Sequence, residues 1–161
     1  PSDPNIYLSL GINYLGNKIF SEAKKYFIKV IELDKLNVDA HFYLLLIDFE
    51  QKSFGTAIKQ AEVLSSLKDN YQQLHLILSN IYFLMNNTDK ALKEAQKEID
   101  FYPNEVEAYY MLGGLYKYNG NIKKYNEVVD TILNRFGIEK PDLILESNHS
   151  VGSLKGSLIN K

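Results

Sequence analysis

Three histidines, twelve tyrosines, twenty carboxylates and no cysteine are the side chains from which this 161-residue chain could build a reactive centre. His41 and His75 stand 34 residues apart, and His149 lies far downstream. A metal ion held by imidazole needs a third ligand and shorter spacing. Tyr7 and Tyr109 occupy the corresponding places one period to either side, so the four positions read as a packing place filled by rings. Without cysteine there is no thiolate ligand, disulfide or cysteine nucleophile. No spacing sets a base beside a serine, and no glycine-rich loop follows a strand to cradle a phosphate. Glu22–Lys25 and Glu94–Lys97 are surface i,i+3 pairs, worth tenths of a kcal/mol. The expectation is a protein that is not an enzyme, with no catalytic residues, no metal and no cofactor. Tyrosines interleaved with lysines can form a stacking platform for single-stranded nucleic acid. Here the net charge is −2 and Arg135 is the sole arginine, so the basic face such binding requires is missing. No nucleic-acid partner is expected.

The stretch Ile6 to Asp34 sets the pattern that would position any site. Tyr7, Leu10, Gly11 and Tyr14 fall on one side of a helix, and Ala23, Phe27, Val30 and Ile31 on one side of a second. The break at Gly16-Asn17-Lys18 lets the two sides meet as a helical hairpin, too small to be stable alone. A shift of 34 residues carries Tyr7, Leu10, Gly11, Tyr14, Ala23, Phe27 and Lys35 onto His41, Leu44, Leu45, Asp48, Ala57, Ala61 and Asp69. The next shift gives His75, Leu78, Ser79, Tyr82, Ala91, Ala95 and Pro103. The last gives Tyr109, Leu112, Gly113, Tyr116, Tyr125, Val129 and Gly137. The pattern predicts helices near 4–16, 20–33, 38–51, 54–68, 70–85, 88–102, 105–118 and 121–136. Asp3-Pro4 reads as a helix start, Thr88 as an N-cap, Asn104 with Glu107 as a capping box, and Gly137 as a left-handed stop.

A 34-residue period with L-G-x2-Y followed by A-x3-F resembles the tetratricopeptide repeat family over roughly residues 4–139. The first repeat matches best, the third well, and the fourth well in its first helix. The second departs most: Leu45 stands where a small residue is usual and Asp48 replaces the aromatic, which marks it as the expected weak joint. The resemblance implies an all-α solenoid of four hairpins, a right-handed superhelix, with repeats at about 4–37, 38–71, 72–105 and 106–139 and a segment 140–161 beyond them. A related RNA-reading repeat would need a 35-residue period and a positive groove. In arrays of this family the first helix of each hairpin lines a concave surface that binds a peptide or helix. The residues so implied are Leu8, Ile12 and Leu15; Phe42, Tyr43, Leu46 and Phe49; Leu76, Ile77, Asn80, Phe83 and Leu84; and Tyr110, Met111, Lys117 and Tyr118. This strip is apolar and aromatic, so the expected function is a non-catalytic protein-interaction module with a partner that brings apolar anchors. Relatives that hold the acidic tail of heat-shock chaperones use Lys and Asn, then Asn, then Lys and Arg at places filled here by Leu8 and Ile12, then Tyr43, then Gln73 and Ile77, so that ligand is not expected.

Composition is that of an ordinary soluble globular domain, 45% apolar and 24% charged. No apolar run reaches the ~20 residues of a membrane span. The chain starts at Pro1, the expectation for a fragment or a processed product, and cytoplasmic and periplasmic settings are both compatible with it. Leu143, Ile144 and Leu145 are expected to cap the last hairpin. Val151, Leu154 and Leu158 form a short apolar stripe suited to docking in a groove, a route to homo-oligomers through the C-terminal tail. The competing readings are an assembly scaffold, for instance of a bacterial envelope complex, and a regulatory domain of a larger protein.

Overall fold

The computed structural model describes residues 3–139. Expectations for the capping segment and the distal tail lie outside the described residues. Eight α-helices follow one another: α1 (Pro4–Gly16), α2 (Phe20–Leu33), α3 (Val38–Glu50), α4 (Phe54–Lys68), α5 (Leu74–Leu84), α6 (Thr88–Phe101), α7 (Val106–Tyr118) and α8 (Ile122–Phe136). No strand occurs among the described residues. The chain divides into two compact units, one ending at Tyr71 and the other starting at Gln72, the point where the second and third repeats meet in sequence.

Each hairpin turns in the same way. Lys18, Lys52, Asn86 and Gly120 hold left-handed backbone angles, with φ of 59°, 57°, 58° and 70°. In the first hairpin the Lys18 amide donates to the Leu15 carbonyl and the Ile19 amide to the Tyr14 carbonyl, both at 2.9 Å. The same pair of bonds recurs at Lys52 and Ser53, at Asn86 and Asn87, and at Gly120 and Asn121. This is the Schellman arrangement, which satisfies the last carbonyls of the first helix and reverses the chain. The left-handed residue is therefore the one after Gly16-Asn17. Two of the four places hold lysine, which tolerates that conformation at a cost of roughly 1 kcal/mol.

The helix starts show where local signals suffice. Asp3 caps α1 by accepting from the Asn5 amide at 2.9 Å. Asn87 caps α6 through the Lys90 amide, which makes Thr88 the first helical residue instead of the cap. α7 has Glu105 at its cap with no side-chain bond to the helix's first amides, while Asn104 accepts from Arg135, so the expected capping box is not formed. Gly137 ends α8 in the left-handed conformation, with φ 68°. α5 begins at Leu74 instead of residue 70, because Gln73 adopts φ 70° and Glu98 of α6 receives the first amides of the helix.

In unit 1, α2 lies between α1 and α3, and α4 packs on α3. Its core joins Ala23, Phe27 and Val30 of α2 to Ala40, Leu44 and Ile47 of α3. Fully burying a side chain such as Phe27 contributes about 1.5–3 kcal/mol. Gly11 permits the closest approach: a Cβ there would sit 2.6 Å from the Phe27 ring. In unit 2, α6 packs on α5 and α7, and α8 on α7. Ile77, Ile81, Ala91, Ala95, Ala108, Leu115 and Ile132 are buried there. Ser79 takes the small-residue place and donates to the Ala91 carbonyl at 2.8 Å.

Candidate functional site

The first helices of the hairpins are far more apolar than their partners, and they bring the expected strip onto two faces. On the unit 1 face, α1 lies beside α3. Leu8, Leu15 and Tyr43 rest their inner sides on the core and are half-buried, and Ile12 is exposed. Phe42, Leu46 and Phe49 are buried, because α3 is enclosed along almost its whole length from Ala40 to Phe49. Phe42 packs on the rings of Tyr43 and Tyr71, Phe49 on that of Phe54 and Tyr43 on that of Phe27. On the unit 2 face, Leu76, Ile77 and Met111 are buried. Asn80, Phe83 and Tyr110 are half-buried, and Leu84, Lys117 and Tyr118 are exposed, Tyr118 at 63%. Phe83 and Tyr118 meet edge to face at 5.1 Å, joining the ends of α5 and α7. The accessible part of the strip is thus narrower than its sequence suggested, and its ridge consists of Leu8, Ile12, Leu15 and Tyr43 in one unit and Phe83, Leu84, Tyr110 and Tyr118 in the other.

The polar groups most removed from water are structural. His41 places its ring nitrogens 3.1 Å from Gln60 Oε1 and 3.2 Å from the Lys35 carbonyl oxygen. His75 donates from Nδ1 to Glu94 at 2.7 Å and stacks on Phe101. Among the described residues no three of His, Asp or Glu gather as a metal site. Glu98 accepts from the amides of Gln73, His75 and Leu76. Burial pushes its carboxyl above the usual range, and those hydrogen bonds and the nearby His75 only partly offset this. Asp48 is buried and pairs with Lys24 of α2 at 2.6 Å. The second repeat thereby replaces a packed aromatic with an ion pair that ties it to the first hairpin, at the joint expected to be weak. Burial, then the charge of Asp39, raises the phenol of Tyr43. A cavity of about 270 Å³ opens on the back of α7, lined by Ile99, Tyr109, Leu112, Tyr116, Lys124 and Val128 among others. It lies on the stripe of α7 opposite Tyr110 and Tyr118.

Paired helices with a 34-residue repeat of both sequence pattern and turn geometry define helical hairpins whose first helices are the more apolar. Residues 4–35 match the sequence model of the tetratricopeptide repeat family. No curated protein matches the chain in sequence. Among solved structures the fold is similar to that of MamA (residues 41 to the end) from Desulfovibrio magneticus RS-1. That match has a TM-score of 0.76 at 18% identity, covering 87% of this chain and 79% of that one. It is also similar to PilF of Pseudomonas aeruginosa, with a TM-score of 0.74 at 16% identity over 95% of this chain and 69% of the other. The first tetratricopeptide domain of Spaghetti (RPAP3), bound to the HSP90 peptide SRMEEVD, aligns with a TM-score of 0.68 at 18% identity over 73% and 93%. These likenesses show the fold class, all-α and of the tetratricopeptide solenoid type. One repeat, residues 4–35, thus carries the family's sequence pattern, and the described helices as a whole carry its fold.

Proposed function

We propose that the chain is a non-catalytic protein-interaction module whose first-helix faces bind a peptide or amphipathic helix through apolar anchors. The observation that carries this reading is the accessible ridge of Leu8, Ile12, Leu15 and Tyr43 in unit 1 and of Phe83, Leu84, Tyr110 and Tyr118 in unit 2. Leu8, Leu15 and Tyr43 pack their inner sides on the core, and Ile12, Leu84 and Tyr118 are exposed, so the ridge keeps apolar surface that the fold leaves uncovered. Helix-in-groove and extended-peptide recognition both use anchors of this spacing. A similar domain, that of Spaghetti, holds a peptide, which supports the same use here. Selecting peptides from a randomised library against the full chain, then titrating them against Ile12→Glu and Tyr118→Glu, tests the reading. A loss of binding in either variant with unchanged helical circular dichroism supports it. Unchanged affinity in both places the partner elsewhere.

A second reading, self-assembly, is favoured by α1. Ile6 and Leu10 are 44% and 38% exposed, while their equivalents Ala40 and Leu44, Leu74 and Leu78, and Ala108 and Leu112 are all buried. The outer face of the first hairpin is thus composed like an interior one. Sedimentation of the wild type and Leu10→Glu tests this: assembly through α1 requires an oligomer that the substitution dissolves.

A further inference from the structure

On the unit 1 face, charge selects the ligand. α1 contains no charged residue over its whole length, and the charged residues of α3 are Asp39, Asp48 and Glu50. Asp48 is neutralised by Lys24. Asp39 and Glu50 pair with no cation among the described residues, and they bracket the ridge. Positions 39, 42/43, 46 and 50 follow i, i+3/4, i+7 and i+11, a single stripe with a carboxylate near each end. Eleven residues of helix separate the two by about 16 Å. Asp39 has a partial answer to its charge in the Tyr71 hydroxyl, which donates to it at 2.6 Å. Glu50 has less: its Oε1 is removed from water without a hydrogen-bond partner. A buried acceptor left unused is costly and rare, and it leaves the Glu50 carboxylate poorly compensated, so a cation beside that carboxylate would be favoured.

We infer that the unit 1 face takes an apolar segment bearing lysine or arginine, with one cationic side chain directed at Glu50, and rejects an acidic one. This rests on the groove reading above and adds the sign of the partner's charge. A carboxylate tail of the SRMEEVD type would meet two uncompensated carboxylates here, where attraction requires the opposite sign.

The test uses one Leu- and Phe-anchored helical peptide in lysine-bearing, neutral and glutamate-bearing versions, titrated by fluorescence anisotropy against the full chain at about 50 mM salt, where screening is weak. The lysine version is expected to bind roughly tenfold tighter than the glutamate version. Glu50→Gln should abolish most of that preference, weakening the lysine version and bringing its affinity toward that of the glutamate version. Asp39→Asn, as a second variant, should reduce the preference by a smaller factor. Equal affinity for all three peptides, or tighter binding of the glutamate version, overturns the charge assignment and leaves the groove reading standing. Binding of none of the three overturns both.

Discussion

The ion pair between Lys24 and Asp48 gives the sharpest test of how the hairpins are held together. The two ends sit in different surroundings: the Lys24 side chain is 39% exposed, that of Asp48 only 2%. Lys24→Met removes the cation and leaves a carboxylate in a place from which water is excluded. Breaking a buried pair in this way costs about 3–5 kcal/mol. Asp48→Asn leaves an amine that can reach solvent along its own stem, so the loss is nearer the ~1–2 kcal/mol of one hydrogen bond and its geometry. The double variant Lys24→Met with Asp48→Leu replaces the pair by apolar contact and should recover most of the loss. Urea denaturation followed by circular dichroism, fitted with the two units allowed separate transitions, measures each value. The reasoning fails if Asp48→Asn is the more damaging of the two single substitutions. It also fails if the double variant is no better than Lys24→Met.

Three further outcomes follow from the same geometry. Gly11→Ala should cost about 1–3 kcal/mol by denaturation, since its methyl meets the buried Phe27 ring at 2.6 Å. Lys18→Gly and Lys52→Gly should each raise stability by roughly 0.5–1 kcal/mol, because both lysines hold left-handed angles in the hairpin turns; a fall in melting temperature for both would contradict that account. For Glu98 the folded carboxyl is raised above the ordinary value of 4.5. Its contribution to stability is therefore fully present below that value and is lost as pH rises through the raised one. The stability advantage of wild type over Glu98→Gln should shrink as pH increases through that window, and an advantage that grows instead would refute the assignment.

The helix boundaries were legible because the repeat imposes them twice, once through apolar spacing and once through the Schellman turn. α5 shows the limit of that signal. Tyr71-Gln72-Gln73 contains no glycine or proline, and the carboxylate that stops the helix from starting earlier comes from Glu98, on the following helix. Sequence pattern cannot register such a cap. The binding strip was legible as a stripe but not in its depth. On α3 nearly every position is apolar, so periodicity cannot separate Phe42, Leu46 and Phe49, which are enclosed, from Tyr43, which is half-exposed. A glutamate at Phe42 or Leu76 would therefore damage the fold as well as any binding, and Ile12 and Tyr118 are the better probes. Asp48 looked like a defect because its partner lies 24 residues upstream on α2. The unused acceptor on Glu50 had no sequence signal beyond its place on the stripe.

Hydrogen exchange with a library-selected peptide bound tests the central claim most directly. The account predicts added protection, and quenching at Tyr43 or Tyr118, on the first helices α1 and α3 or α5 and α7, with α2, α6 and α8 unchanged. Protection confined to α6, α7 and α8 around the cavity lined by Tyr109 and Tyr116 would contradict it.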